Sequence, residues 1–185
     1  KISYALNVVK TKYCIICPDD DFIFKSSIEN GISFLESNDD FALVHGRYIC
    51  FYKWLGLIFY NIRYRNRINT NNESSIDEER MLKSAKNYSN LLYSLHRTYI
   101  LKHAALFSER ISEDSLPELL EISSSIISSL YGKQKSLPIL WMAKDMRRYS
   151  SYLTLENDKK NDYKDKETFI ILDFNNFFNH NIKNK

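Results

Sequence analysis

Apolar residues in this chain follow two patterns, helical spacing and short continuous runs, and the two patterns alternate along the sequence. Helical spacing predicts helices over 2–10, 26–38, 76–88, 99–108 and 115–131. Continuous apolar runs rich in β-forming residues predict strands over 13–17, 41–50, 91–97 and 137–143. We therefore expect an α/β fold with a mainly parallel sheet flanked by helices, in which 13–50 form one βαβ unit.

Capping residues set the expected limits of two of these helices. Ser26 and Glu29 have the spacing of a capping box at the start of the second helix. Ser115 and Glu118 have the same spacing at the start of the last helix, and Gly132 stands where glycine commonly follows a helix end.

Length and composition indicate one globular domain. The 185 residues are 44% apolar, and we place a domain at 1–150, followed by a polar linker and C-terminal tail at 151–185. The chain enters a helical pattern at Lys1 without a methionine, so we expect that an N-terminal part is missing. The net charge of +3, from 26 basic and 23 acidic residues, is too balanced to indicate a nucleic-acid partner.

Cysteine usage and hydropathy indicate the compartment. The three cysteines are an odd number, which argues against a disulfide scaffold, and we expect Cys14, Cys17 and Cys50 to be buried thiols. The chain shows no signal-peptide pattern and no apolar run of the about 18 residues that a membrane span needs. We therefore expect a cytoplasmic protein.

Three consecutive carboxylates, Asp19, Asp20 and Asp21, follow the strand predicted at 13–17 and Pro18. The carboxyl ends of strands are where open α/β sheets bind ligands. Adjacent like charges repel, and a hard divalent cation such as Mg²⁺ or Mn²⁺ would offset them while it joins them to substrate phosphates. The alternative interpretation is a solvated acidic turn, because aspartate is common in turns.

Residues 51–72 are rich in aromatic and apolar side chains, carry Arg63, Arg65 and Arg67, and contain no acid. One interpretation is a segment that lies against a membrane surface or a lipid-linked substrate, with arginines on phosphates. We favour the other interpretation, a hairpin with a solvated basic edge, because the stretch is short.

An ordered set of short motifs carries a resemblance to a known family. The set is the triple aspartate after a strand, GRY at 46–48, LHRT at 95–98, Glu113-Asp114 before PELLE at 117–121, and GK at 132–133. It resembles the bacterial GT-A glycosyltransferases of the family 2 type over roughly residues 1–150. The resemblance implies a GT-A fold and an enzyme that takes a sugar from a nucleotide-diphosphate donor.

The resemblance also implies roles for individual residues. The aspartates match a cluster that, in similar enzymes, meets the ribose and holds a divalent metal, with Asp19 and Asp21 as metal ligands and Asp21 as the first choice. Similar enzymes take their catalytic base from acids at a helix N-terminus, which is where Asp114 and Glu118 lie. The other donor-binding positions that the resemblance implies are Asp20, His96, Arg97 and Arg147.

The chain departs from the family pattern before the acidic motif, where the usual Gly-Gly pair is missing. The choice between Asp114 and Glu118 as the base therefore stays open. Structural alternatives also exist: Glu118 completes a capping box, and Asp114 would favour a helix N-terminus. His96 has the alternative of a hydrogen-bonded, partly buried histidine, and Arg97 that of a surface ion pair.

We expect a metal-dependent, inverting glycosyltransferase that acts in the synthesis of a bacterial surface polysaccharide or related glycan. Its partners would be a nucleotide-sugar, a glycan or lipid-linked acceptor, and the inner face of the membrane as a peripheral contact. The metal would neutralise charge on the leaving phosphates, and a carboxylate would take the proton of the acceptor hydroxyl. Two alternatives stay open: a nucleotidyltransferase, and a non-catalytic domain that binds a glycan, a lipid or a partner enzyme.

Overall fold

Helices and strands alternate along the part of the chain that the structure describes, which confirms the α/β class. The computed structural model covers residues 2–54, 57–61, 71–87, 89–111 and 117–145, with side chains described for 2–51, 71–87, 89–111 and 119–145. The helices are α1 (Ile2–Val8), α2 (Lys25–Ser37), α3 (Asp77–Lys86), α4 (Thr98–Ile111) and α5 (Pro117–Tyr131). The strands are β1 (Tyr13–Cys14), β2 (Phe22–Ile23), β3 (Phe41–Trp54), β4 (Leu57–Asn61), β5 (Leu95–Arg97) and β6 (Lys133–Asp145).

These strands form one mixed sheet. Five of them lie in the order β1-β5-β3-β6-β2, and β4 pairs with β3. Among the described strands, β3 and β6 are the one parallel pair, and the pairs β1–β5, β5–β3, β3–β4 and β2–β6 are antiparallel. The expectation of a mainly parallel sheet is therefore wrong.

The antiparallel pairs arise from short connections and short strands that an apolar pattern does not reveal. Two residues, 55–56, separate the end of β3 from the start of β4, and a connection this short joins antiparallel strands. β1, β2 and β5 contain two or three residues each, too few for a period of two to be visible. β1 and β3, the strands of the expected βαβ unit, run in the same direction, but β5 lies between them and β2 intervenes before α2.

The two long strands, β3 and β6, form the centre of the sheet. Leu35 of α2 packs with Val44 of β3 and Trp141 of β6 in one buried apolar cluster. A second buried cluster joins α1, α4 and α5. Packing against helices therefore fixes the positions of the two central strands and of their carboxyl ends.

The start of α2 differs from the prediction. The capping box expected at Ser26 is not formed, because the helix begins at Lys25 with Phe24 as its N-cap and no side-chain capping hydrogen bond. The backbone N–H of Phe24 donates to the carbonyl oxygen of Trp141 (3.2 Å). Pairing of the preceding strand with β6, and not side-chain capping, therefore determines where α2 starts.

The other helix predictions agree with the structure to within a few residues at each end. α5 begins at Pro117 and ends at Tyr131, and Gly132 follows it as expected. Ser115, the predicted N-cap, lies outside the described residues.

The hairpin that we favoured for residues 51–72 is confirmed over its described part, since β3 pairs antiparallel with β4 from Cys50–Asn61 to Trp54–Leu57. Arg63, Arg65 and Arg67 lie outside the described residues, as does the predicted tail at 151–185. Within the ranges given above, the structure contains no helix with the length and apolar character needed to cross a membrane.

The three cysteines differ in exposure. Cys50 is buried and Cys14 is half-buried, but Cys17 is exposed. The prediction of a buried thiol is wrong for Cys17 because β1 ends at Cys14, so Cys17 belongs to the segment that leaves the sheet.

Candidate functional site

The acidic segment ends beside the carboxyl end of β6. β1 runs in the direction of β3 and β6, because it pairs antiparallel with β5, and β5 pairs antiparallel with β3. β2 runs in the opposite direction beside β6, at the other end of the strand order. Cys14 of β1 is level with Leu43 near the start of β3, whereas Phe22 of β2 pairs with Ala143 near the end of β6. The segment 15–21 therefore ends at the carboxyl end of β6, the kind of place where α/β sheets bind ligands.

Asp21 stands at the end of this segment and meets the end of β6. Its Oδ1 accepts a hydrogen bond from the backbone N–H of Asp145 (3.1 Å), and its Oδ2 lies 3.7 Å from Nζ of Lys144. The Asp21 side chain is 7% exposed. Burial raises the pKa of the Asp21 carboxyl, against the opposing effects of Lys144 and the Asp145 N–H. The fold thus holds a carboxyl group at a position where an added cation would stabilise its ionised form.

Lys144 is held beside Asp21 by an aromatic ring. Its Nζ lies 4.2 Å from the centroid of the Tyr93 ring, a cation–π contact. Tyr93 is itself positioned by β6, because its carbonyl oxygen accepts a hydrogen bond from the Trp141 indole N–H (3.0 Å). The ammonium group of Lys144 therefore has a defined place at this edge.

Tyr93 also connects the edge to the first turns of α5. Its hydroxyl lies 3.5 Å from Oε1 of Glu121, as a long hydrogen bond. A continuous set of contacts thus runs from Asp21 through Lys144 and Tyr93 to Glu121. It brings an acid of α5 to the same region as the acidic strand end.

The three consecutive aspartates have unequal positions. Asp19 is exposed and Asp20 is half-buried, and the charge of Asp20, together with that of Asp145, raises the pKa of Asp21 further. In the described part of the chain, no three His, Cys, Asp or Glu side chains lie close enough together to hold a metal ion. Mg²⁺ and similar ions, however, are commonly bound by one or two carboxylates that share them with substrate phosphates. The oxygen donors at this edge fit that kind of site and not a cage made of protein alone.

His96 lies inside the core and not at this edge. Its Nε2 contacts the carbonyl oxygen of Leu91 (2.9 Å), and its Nδ1 lies 3.4 Å from Oγ of Ser128. The side chain is fully buried, and burial lowers its pKa to about 4. These contacts match the alternative of a hydrogen-bonded buried histidine.

Arg97 is likewise buried and bonded to the backbone. Its Nε donates to the carbonyl oxygen of Phe41 (2.8 Å), and its Nη2 donates to those of Leu35 (2.8 Å) and Asn38 (3.1 Å). Arg97 therefore joins the C-terminal end of α2 to the start of β3. A long ion pair with Asp39 (3.5 Å) accompanies these bonds.

The remaining predicted site residues cannot be placed at the edge by their side chains. Glu118 lies in the first turn of α5, and its side chain is outside the described set, as are Asp114 and Arg147. The structure thus brings Asp20 and Asp21 to the site, while His96 and Arg97 serve the core.

Sequence reasoning missed four residues of the site: Tyr93, Glu121, Lys144 and Asp145. Lys144 and Asp145 end the strand predicted at 137–143, so the rule that drew attention to the aspartates after a strand applies to them as well. Glu121 lies one turn after Glu118 on the same helix, and the contact of Glu121 with Tyr93 has no sequence signal.

Comparisons with known proteins add no identification. No protein-family model matches the chain, and no curated protein matches it. The functional interpretation therefore depends on the residues and contacts at the carboxyl edge.

Proposed function

We propose that this chain binds a nucleotide-diphosphate sugar at the carboxyl edge of its sheet and transfers the sugar to a hydroxyl acceptor. The observation that carries the proposal is Asp21, a nearly buried carboxyl group that the end of β6 holds by one N–H and one loosely paired ammonium group. Burial of an ionisable group beside other charges is typical of functional sites. The resemblance to GT-A glycosyltransferases gives the sugar-nucleotide class of ligand.

Asp21, with Asp19 or Asp20, would hold the divalent cation in this proposal. The cation, Mn²⁺ or Mg²⁺, would supply positive charge to the leaving diphosphate. The protein's own contribution is the fixed position of Asp21, because its Oδ1 is tied to the backbone N–H of Asp145. A carboxylate that is already oriented and largely dehydrated needs little rearrangement when the ligand arrives.

The acceptor side of the proposed site is the N-terminal part of α5. An ionised carboxylate there would take the proton from the attacking hydroxyl, an effect worth about 10² to 10⁴ in rate. Asp114 and Glu118 are the residues that the resemblance implies, and Glu121 is the acid of this helix that reaches Tyr93. One base and one metal ion, with no protein nucleophile, suit an inverting displacement.

The wider setting follows from the same resemblance. The acceptor would be a glycan or a lipid-linked sugar in the synthesis of a bacterial surface polysaccharide, made at the inner face of the membrane. The hairpin β3–β4, rich in aromatic residues and followed by Arg63, Arg65 and Arg67, would provide the peripheral membrane contact.

Calorimetric ranking of ligands in the presence of Mn²⁺ tests the class of donor. UDP, UTP and a panel of UDP-sugars are titrated into the full chain under identical conditions. We expect one UDP-sugar to bind at micromolar affinity and more tightly than UTP. A preference for the triphosphate would indicate a nucleotidyltransferase, and binding of none of them by the folded protein would indicate a domain without this activity.

A further inference from the structure

Five lysines pair with acids in the described residues, and Lys144 is the one whose acid is least exposed. Lys12, Lys133 and Lys135 each lie 2.7 Å from a carboxylate oxygen, which is hydrogen-bond distance. Lys144 lies 3.7 Å from Asp21, which is too far for a hydrogen bond. Lys25 also lies beyond hydrogen-bond distance of its acid, 3.6 Å from Glu29, but Glu29 is 63% exposed. Asp21, at 7%, is the least exposed carboxylate of the five pairs.

The position of the Lys144 ammonium is fixed by other contacts. The side chain is 25% exposed and rests on the ring of Tyr93, with Nζ 4.2 Å from the ring centroid. Its backbone belongs to the parallel pair β3–β6, in which Lys144 is opposite Cys50. An ammonium group held in this way loses little side-chain freedom when it binds a ligand, because much of that freedom is already lost.

The donors of Lys144 are available at this edge. Its ammonium group carries three N–H donors, and none makes a hydrogen bond with another residue in the described part of the chain. Because Asp21 is 7% exposed, Lys144 can leave it at little cost where another cation takes its place. When a cation is bound beside Asp21, the ammonium group can therefore turn to a ligand.

We propose that Lys144 is a phosphate-binding residue, and that its ammonium group leaves Asp21 and donates to the phosphate oxygens of the bound ligand. This inference rests on the proposed function, in which a divalent cation takes the place beside Asp21. Phosphate oxygens accept from lysine at about 2.8 Å, a stronger interaction than the present contact at 3.7 Å. Lys144 would then share the charge of the diphosphate with the cation.

Lys133 provides a matched control at the opposite end of β6. It also lies beside an aspartate, Asp40, and over an aromatic ring, that of Phe41, and its side chain is 28% exposed. Its ammonium group already has a carboxylate at 2.7 Å. The two lysines therefore share a strand, a type of neighbour and an exposure, and differ in whether the ammonium group is already hydrogen-bonded.

The test is titration of inorganic pyrophosphate into the full chain, with Mg²⁺ present throughout, for the wild type, Lys144→Gln, Lys144→Arg and Lys133→Gln. We expect Lys144→Gln to weaken binding about tenfold, as loss of one charged hydrogen-bonding group does, with Lys144→Arg retaining most of the affinity. Lys133→Gln should stay within about twofold of the wild type. Equal affinity of Lys144→Gln and wild type, or equal losses in both glutamine variants, would overturn the assignment, as would absence of pyrophosphate binding by the wild type.

The same variants separate this inference from the proposed function. If Lys144→Gln loses pyrophosphate affinity but the wild type binds no nucleotide-sugar, the anion site stands and the transferase proposal fails. If the wild type binds a nucleotide-sugar and Lys144→Gln binds it equally well, the transferase proposal stands and the role of Lys144 is rejected. Far-ultraviolet circular dichroism of each variant verifies that the fold is intact.

Discussion

Asp21 and Asp40 lie beside lysines at opposite ends of β6, and they differ in burial and in pairing. Asp21 is 7% exposed, and its lysine partner is too distant for a hydrogen bond. Asp40 is 56% exposed, and its contact with Lys133 (2.7 Å) lowers the pKa of its carboxyl. Asp40 and Lys133 form an ordinary surface ion pair. Burial of Asp21 costs free energy of solvation, and its contacts with Lys144 and the Asp145 N–H offset only part of that cost. Such a cost is typical of residues kept for binding and not for stability.

Buried histidines should make the stability of the chain depend on pH. Burial lowers the pKa of His45 and of His96 to about 4, from 6.5 in the unfolded chain. Between these values the unfolded state binds more protons than the folded state, so the free energy of unfolding falls as the pH falls from 6.5 towards 4. One such histidine costs about 2 kcal/mol by pH 5.

Urea unfolding at pH 7.5, 6 and 5, for the wild type and for His96→Gln, measures this effect. The variant should be less stable at pH 7.5, because it loses the contacts of the imidazole with Leu91 and Ser128, and its stability should change less with pH. An identical pH dependence in both proteins would show that His96 is not buried in its neutral form.

At the scale of elements, the close approach of β3 and β6 depends on Gly46. The register of this pair is irregular between His45 and Arg47, and a Cβ atom on Gly46 would lie 2.5 Å from the backbone oxygen of Ile139. A backbone atom in the centre of a sheet cannot move aside as a side chain can. We therefore expect Gly46→Ala to lower the free energy of unfolding by about 3 kcal/mol.

Gly31→Ala is the comparison that isolates the backbone contact. A Cβ atom on Gly31 would meet the side chains of Leu95 and Trp141 at 3.0 Å, and alanine is favoured over glycine in a helix by about 1 kcal/mol. Denaturant unfolding should show a clearly smaller loss for Gly31→Ala than for Gly46→Ala. Equal losses would mean that the β3–β6 pair relaxes around the added methyl group.

The elements themselves were predictable to the extent that their signals are local. The five helices of the described residues have enough turns for apolar spacing to show, and α5 ends at Tyr131 as expected. The strands β1, β2 and β5 are too short to carry a period, so their antiparallel pairing could not be anticipated. Arg97 was predicted to bind the donor, but in the structure its guanidinium group donates to carbonyl oxygens at the end of α2 and the start of β3. Sequence reasoning could not predict these hydrogen bonds, because they form only when the two elements pack together.

At the scale of the whole molecule, the candidate site is a product of sheet order. Because β2 pairs with β6, Asp21 meets residues that are more than a hundred positions away in sequence, with a separation of 124 to Asp145. The sequence indicated the aspartates, since they follow an apolar strand. Lys144 follows a predicted strand in the same way, but Tyr93 and Glu121 join the site only through tertiary contacts, which no spacing in the sequence encodes.

The measurement that most directly tests the central claim is titration of the best-binding UDP-sugar into the wild type, Asp21→Asn and Asp40→Asn, each with Mn²⁺ and with chelator. Asparagine at position 21 keeps the shape and the acceptor for the Asp145 N–H but removes the charge. We predict that the wild type and Asp40→Asn bind the donor with a Mn²⁺-dependent affinity, and that Asp21→Asn loses at least about tenfold of it. Binding that is indifferent to chelator, or undiminished in Asp21→Asn, would contradict a metal-dependent donor site at this edge of the sheet.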